Sequence, residues 1–420
     1  MKRLLLFLCL LFITRPGWAA EPAVRIGFLG PMTGYYSSIG KEARDVLTLL
    51  ISDINNQGGL LGRKVELVFE DEGDNLQSTA AAGAKLVMQG VVAVIGPSMS
   101  DATDAVQGIF NDGGIVHISY GATAISLTEK RLPYFFRTCP RDDEQAKAFV
   151  RIIRKMKIGK VALLHDNSLY GKGLGEAIRD QLQAWMLDPV FYGTLTPGRS
   201  DYADILEQIK KTAPEVVFFA GYYPEAARLL QGREQLRWGV TFVGGDAVNN
   251  PGLVEIAGIN AAENFLILSP PNPEHLDTPW TKSFLDRFRH TYGYTPSSIF
   301  ALLAGNAINA VTDSVAIVGT TDPLQMSDYL HRHYFKKSGL TGEIFFNSKG
   351  DVVNDLYALY RVDGRGRLIL RKQLQQSDSI EMLSENQNGH GNSRREDPDQ
   401  PFGGNGSDQK DRPGHRLSSP

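Results

Sequence analysis

The sequence predicts an α/β protein of two doubly wound, parallel-sheet lobes joined by several chain crossings. Three observations predict it. Short β-branched runs alternate with longer segments of helical period. Nine strand candidates between Val24 and Leu268 are too many for one open sheet of this size. The alternation is interrupted at Ser126 to Arg137, which contains Leu132-Pro133-Tyr134, so a second α/β unit is expected to begin near Arg137.

In chain order, the strand candidates are Val24 to Leu29, Lys64 to Phe69, Val91 to Ile95, Ile115 to Ile118, Lys160 to Leu164, Val190 to Tyr192, Glu215 to Ala220, Thr241 to Val243 and Asn264 to Leu268. Between them the spacing predicts helices at Ser38 to Asn55, Gln77 to Gln89, Ala102 to Asn111, Glu144 to Met156, Gly173 to Trp185, Tyr202 to Lys211 and Glu225 to Arg233. The proline-rich break Ser269-Pro-Pro-Asn-Pro273 follows. Helical stretches are then expected at Trp280 to Tyr292, Ile299 to Val318 and Pro323 to Tyr334, before short strands at Gly342 to Phe346, Leu356 to Tyr360 and Leu368 to Leu370. The Asn347-Ser-Lys-Gly350 turn signal separates the first two of these strands.

Both ends differ from this pattern. Lys2 and Arg3 precede a ten-residue apolar run, Leu4 to Ile13, and then Gly17-Trp18-Ala19-Ala20, the pattern of a secretory signal peptide. The run is about half the ~20 residues that span a bilayer, which disfavours a permanent anchor. Cutting after Ala19 puts Gly17 and Ala19 at the small-residue sites, and loss of Lys2, Arg3 and Arg15 takes the net charge from -3 to -6. Cys9 has no small residues before it, against lipid modification. From Ser384 to Pro420 the only large apolar residues are Phe402 and Leu417, so a disordered tail is expected. The domain reading is a signal peptide at 1–19, an N-terminal lobe at 20–136 plus 270–345, a C-terminal lobe at 137–269 plus 346–376, and the tail at 377–420.

Composition removes several classes of function. With 44 Lys and Arg against 47 Asp and Glu there is no basic footprint for nucleic acid. Only Cys9 and Cys139 are present, so loss of the leader leaves no intramolecular disulfide. There is no G-x-x-x-x-G-K-[ST], H-E-x-x-H or G-x-S-x-G motif. The eight histidines are scattered, and His331 and His333 stand two apart on different helix faces, so neither a metal nor another cofactor is expected. Gly27, Gly30 and Gly34 are spaced by three and four, unlike a dinucleotide loop. Cys139 has no visible partner to lower its pKa and reads as packing material.

Six segments in order carry a family resemblance: Ile26-Gly-Phe-Leu-Gly-Pro-Met-Thr-Gly34, Asp53-Ile-Asn-Asn-Gln-Gly-Gly59, Val94-Ile-Gly-Pro97, Ile118-Ser-Tyr-Gly-Ala-Thr123, Tyr170-Gly-Lys-Gly-Leu174 and Gly221-Tyr-Tyr-Pro-Glu225. The chain resembles the leucine/isoleucine/valine-binding proteins, type I periplasmic solute receptors of ABC importers, from Arg25 to about Arg371. The resemblance implies a Venus-flytrap fold, with ligand between the strand carboxyl ends of the lobes.

A zwitterionic ligand needs donors for its carboxylate and acceptors for its ammonium. Ser100 also reads as an N-cap for the helix from Ala102. By resemblance Ser100, Gly121, Ala122 and Thr123 grip the carboxylate and part of the ammonium, and Tyr222 and Asp246 face the ammonium from the other lobe. The family acid is Glu, so Asp246 is one methylene shorter. Tyr170 joins this set, and Tyr35, Tyr36, Ile39, Met99 and Phe300 fall near positions lining the hydrophobic subsite. Ile39 and Phe300 replace family tyrosines, and the family disulfide positions fall at Gly73 and Met99.

The expected function is therefore capture of a small amino acid, aliphatic and branched, by a monomeric periplasmic receptor that delivers it to an ABC transporter permease, with no enzyme activity. Two alternatives remain. A same-fold receptor for an amide, urea or aromatic acid would keep Ser100 and Thr123 without requiring Asp246. An exported α/β hydrolase would use Cys139 or an acid pair.

Overall fold

The alternation of buried apolar runs with amphipathic segments resolves into two separate sheets. In the computed structural model, residues 21–73, 75–353 and 357–374 are described. The expected leader, and the tail at 377–420, lie outside them.

The first lobe runs β1 (Val24–Gly30), α1 (Ser37–Asn56), β2 (Val65–Asp71), α2 (Leu76–Met88), β3 (Ala93–Ile95), α3 (Ser100–Asp112), β4 (Val116–Ser119), α4 (Ser126–Glu129) and β5 (Phe135–Arg137). Its sheet has the order β2-β1-β3-β4-β5, with every pairing parallel. The second lobe follows: α5 (Asp142–Lys155), β6 (Val161–His165), α6 (Leu169–Ala184), β7 (Phe191–Thr194), α7 (Ala203–Lys211), β8 (Val216–Ala220), α8 (Tyr223–Gln235), β9 (Thr241–Gly244), α9 (Gly252–Ala257), α10 (Ile259–Ala262) and β10 (Leu266–Ser269). The chain then returns to the first lobe with α11 (Pro279–Tyr292), α12 (Ile299–Val318), α13 (Pro323–Arg332) and the hairpin β11 (Phe335–Gly339) and β12 (Gly342–Phe345). Finally β13 (Tyr357–Val362) and β14 (Leu368–Leu374) complete the second sheet, in the order β14-β13-β10-β9-β8-β6-β7. In that sheet β10 with β13 and β13 with β14 pair antiparallel, and the other pairings are parallel.

Each lobe has its own core. Val24, Ile26, Phe28, Val46 and Leu47 pack with Leu302, Ile308 and Val311 in the first. The second sheet is covered on both faces, by one cluster around Leu206, Phe219 and Leu230 and another around Phe149, Leu163 and Phe218. Such two-sided cover is what continuous apolar strands require. By length and composition α12 passes for a membrane span. Yet Leu302, Ala304, Ala307, Ile308 and Val311 on it are fully buried within the first lobe, so it is a core helix.

Three local expectations need correction. Ser126 to Arg137, read as a break, contains α4 and the edge strand β5, a strand of three residues too short to show a period. The helix expected from Gly173 starts four residues earlier at Leu169, where the Ser168 hydroxyl accepts from the Gly171 amide as an N-cap. Ser100 is the first residue of α3 rather than its N-cap, which is Met99, and its hydroxyl is used elsewhere.

Candidate ligand-binding site

The C-terminal ends of the strands in both sheets face one cleft, and the segments that leave them supply its walls. Tyr36 and Ile39 come after β1, Ser98, Met99 and Ser100 after β3, and Gly121 and Thr123 after β4. From the second lobe, Tyr170 follows β6, Tyr222 follows β8, and Asp246, Ala247 and Asn249 follow β9. Phe300 enters from the start of α12. The cleft holds about 510 Å³ of space, part of it open to solvent.

On the first lobe, hydroxyls and backbone are fixed before any ligand arrives. Ser100 Oγ accepts from the Ala124 amide at 3.3 Å, which ties α3 to the loop after β4 and leaves its proton to donate. Thr123 is buried, with its hydroxyl beside the Asp142 carboxyl. Beneath the loop, the buried Arg137 guanidinium donates to the Ala122 and Ala124 carbonyls at 3.0 and 2.8 Å, bracketing Thr123. It also donates to Asp351 Oδ1 at 2.6 Å and Thr128 Oγ1 at 2.6 Å. Burial raises the Asp351 carboxyl, but Arg137 and Arg141 outweigh it and hold the group below its ordinary range.

The second lobe offers the opposite chemistry. Asp246 is 2% exposed and accepts from the Tyr170 hydroxyl at 2.8 Å. Burial pushes its carboxyl up to about 6, against the Tyr170 hydrogen bond. The Tyr222 ring lies 5.4 Å from Tyr170 and 5.5 Å from Tyr36. A cation beside Asp246 would therefore meet a carboxylate and aromatic faces together. The apolar wall is Ile39, Met99 and Phe300. Phe300 is delivered by a buried acid, because Glu42 accepts from the Ser297 and Ser298 amides, each at 3.1 Å, at the head of α12.

Ser100, Gly121, Thr123, Tyr170, Tyr222, Asp246, Tyr36, Ile39, Met99 and Phe300, all singled out from the sequence, meet at this cleft. Two others do not line it. Tyr35 is 72% exposed, because the turn before α1 points it outward. Ala122 is fully buried, and its carbonyl serves Arg137 rather than the cleft. Ser98, Ala247 and Asn249 were missed, although each lies within three residues of a named position. Asp142 was missed as well: it is fully buried beside the Thr123 hydroxyl, and burial, then the Asp246 charge, raises its pKa well above the ordinary range. In sequence it reads only as one of three consecutive acids, with Asp143 and Glu144, at the start of the helix expected from Glu144. Cys139 is 1% exposed and burial raises its thiol pKa, the opposite of what a nucleophile needs.

Comparison with known proteins decides the family. The profile of the periplasmic binding protein family matches residues 23–367. The chain belongs to that family. Among its relatives is a "Leucine-, isoleucine-, valine-, threonine-, and alanine-binding protein" of Pseudomonas aeruginosa, 29% identical over 342 residues that cover 81% of this chain and 90% of the relative. The Leu/Ile/Val-binding protein of Escherichia coli K12 is 27% identical over 78% of this chain and 88% of its own. Among solved structures, the branched-chain amino acid transporter substrate-binding protein of Streptococcus pneumoniae in complex with isoleucine superposes with a TM-score of 0.75 at 26% identity, covering 84% of this chain and 99% of that one. A solute-binding protein of R. palustris in complex with benzoate shares the fold with a TM-score of 0.72 at 19% identity, over 84% of this chain and 96% of that one. The chain is thus a periplasmic binding protein that is similar over most of its length to Leu/Ile/Val-binding proteins, and it is not an enzyme.

Proposed function

We propose that this chain captures an aliphatic, branched L-amino acid between its lobes and presents it to the permease of an ABC importer. The observation that carries the reading is the pairing of Asp246, buried on the second lobe, with the Ser100 and Thr123 hydroxyls on the first. Donors face acceptors across the cleft, the arrangement that a zwitterion desolvated by lobe closure requires. Ile39, Met99 and Phe300 beside them favour an aliphatic side chain over a polar one. The names of the relatives support the same ligand class. Export through cleavage after Ala19, and action as a periplasmic monomer, belong to the same reading.

A second reading has three structural relatives behind it, the R. palustris protein in complex with benzoate and two further solute-binding proteins in complex with 4-hydroxybenzoate. An aromatic acid brings no cation. It would use the hydroxyls and leave the Asp246 carboxylate desolvated without a counter-charge, which is unfavourable.

A thermal-shift screen of the L-amino acids and benzoate tests the choice. A ligand that binds only the folded state adds about 2.7 kcal/mol at 100 times its dissociation constant, so leucine, isoleucine or valine is expected to give the largest shift. A shift with benzoate and none with any amino acid would overturn the proposal. Ser100→Ala and Thr123→Ala are each expected to weaken the best amino acid by roughly 1–3 kcal/mol in calorimetry, because a desolvated polar group loses its partner. Unchanged affinity in both variants would remove these hydroxyls from the site.

A further inference from the structure

One contact joins the lobes across the cleft without touching its lining. The first amide of α6, Leu169 N–H, donates to both carboxylate oxygens of Asp101, at 3.2 and 3.1 Å. Asp101 is the second residue of α3 in the first lobe, and Leu169 begins α6 in the second. The first amides of a helix have no acceptor within it. In α6 the Ser168 side chain takes the Gly171 amide, so Leu169 finds its acceptor in the opposite lobe. The positive end of the helix favours a carboxylate there. Both residues are partly buried, which strengthens the contact relative to a solvated pair. A second rim contact runs in parallel, from the Tyr223 hydroxyl to the Tyr35 carbonyl at 2.7 Å.

We propose that Asp101 is a closure latch, a positioning residue that favours the lobe-closed form and so sets affinity and residence time without contacting ligand. The proposal rests on the ligand-capture reading above. A hinged receptor binds with an apparent dissociation constant equal to the intrinsic one divided by the closed fraction. Any contact made only between closed lobes therefore tightens every ligand by the same factor. Asp101 lies outside the cleft lining and has no means to tell one side chain from another. The latch engages after the ligand enters, so its loss acts on dissociation more than on association.

The test places spin labels on Gln77→Cys and Ser200→Cys in the otherwise intact mature chain. Both positions are exposed, and they follow β2 and β7, the sheet edges farthest from the crossings after β5 and β10. Cys139 is buried, so it takes no label. Distances between labels are recorded without added ligand and with leucine, and leucine dissociation is followed by stopped flow. Asp101→Ala is expected to lower the closed fraction and to raise the dissociation rate about five- to tenfold. Isoleucine and valine are expected to weaken by the same factor as leucine. Asp101→Asn, which keeps one acceptor oxygen, is expected to recover most of the loss. A disordered α3 would instead displace Ser100 and change the ratios between ligands.

An unchanged closed fraction and dissociation rate in Asp101→Ala, or factors that differ between the three amino acids, would overturn the latch. If leucine moves no label in the wild type, the amino acid reading fails by itself. The comparison of wild type with Asp101→Ala without ligand still decides the latch.

Discussion

Asp246→Asn is expected to weaken the best amino acid ligand by about 2–5 kcal/mol, the usual loss when one partner of a buried charge pair is truncated. The variant keeps an acceptor for the Tyr170 hydroxyl, so fold and closure should survive. A deaminated analogue of the same ligand should barely notice the change, since it brings no cation. The pH dependence gives the same assignment a second, independent check. With the Asp246 carboxyl at about 6, affinity for an ammonium ligand should hold above that pH and fall by up to tenfold per unit below it, as the counter-charge is protonated. Stability without ligand runs the other way. A carboxyl whose pKa is raised by folding binds its proton more tightly in the native state, so its contribution is present below the unfolded value and lost as pH rises through the folded one. Asp166, pushed up to about 6 mainly by burial, contributes in the same direction. The difference between wild type and Asp246→Asn therefore isolates the residue. Calorimetry from pH 4.5 to 8 reads the binding arm, and a pH-independent difference between the two proteins would remove Asp246 from the site.

Arg137→Met carries the second large effect. The side chain is fully buried, and its five-donor fork is shared among Asp351, Thr128 and two carbonyls of the loop that presents Thr123. Its own backbone joins the Gly350 to Val352 segment, with Arg137 N donating to the Gly350 carbonyl and the Val352 amide donating back. One residue thus ties the end of the first sheet to a chain crossing and to the ligand loop. Removing one partner of a buried ion pair typically costs about 3–5 kcal/mol, because the other charge stays buried. Urea unfolding should show a loss of that size, and amino acid affinity should drop at least tenfold as the 122–124 loop relaxes. Adding Asp351→Leu should recover part of the stability, since it removes a buried carboxylate left with Arg141 at 3.2 Å in place of its shorter Arg137 pair. It should not recover binding. A stability loss under 1 kcal/mol in the single variant would contradict this account of the loop.

Much of this architecture is legible in the sequence, for physical reasons. Buried parallel strands such as Val161–His165 and Val216–Ala220 must be nearly continuous runs of apolar residues, so they stand out. The site follows because ligands in open α/β sheets sit past the strand ends, where Ser100, Thr123, Tyr222 and Asp246 fall. What escapes has no local pattern. A three-residue strand such as Phe135–Arg137 shows no period, and nothing along the chain tells Asp142 from its neighbours Asp143 and Glu144, although folding buries only the first. Arg137 looks like any exposed cation until Asp351, more than two hundred residues away, is brought beside it. Tyr35 errs in the other direction: it is adjacent to Tyr36 in the resemblance, but a one-residue step at the turn puts it in solvent.

The central claim, that the cleft recognises an amino acid through its ammonium and carboxylate together, is tested most directly by calorimetry of the wild-type protein at pH 7.5. The titrants are leucine, isoleucine, valine, benzoate and the 2-oxo acid analogue of leucine. At least one of the three amino acids should bind saturably, and the 2-oxo acid should bind at least a hundredfold more weakly, a difference of about 2.7 kcal/mol. Equal or tighter binding of the 2-oxo acid or benzoate would contradict the claim.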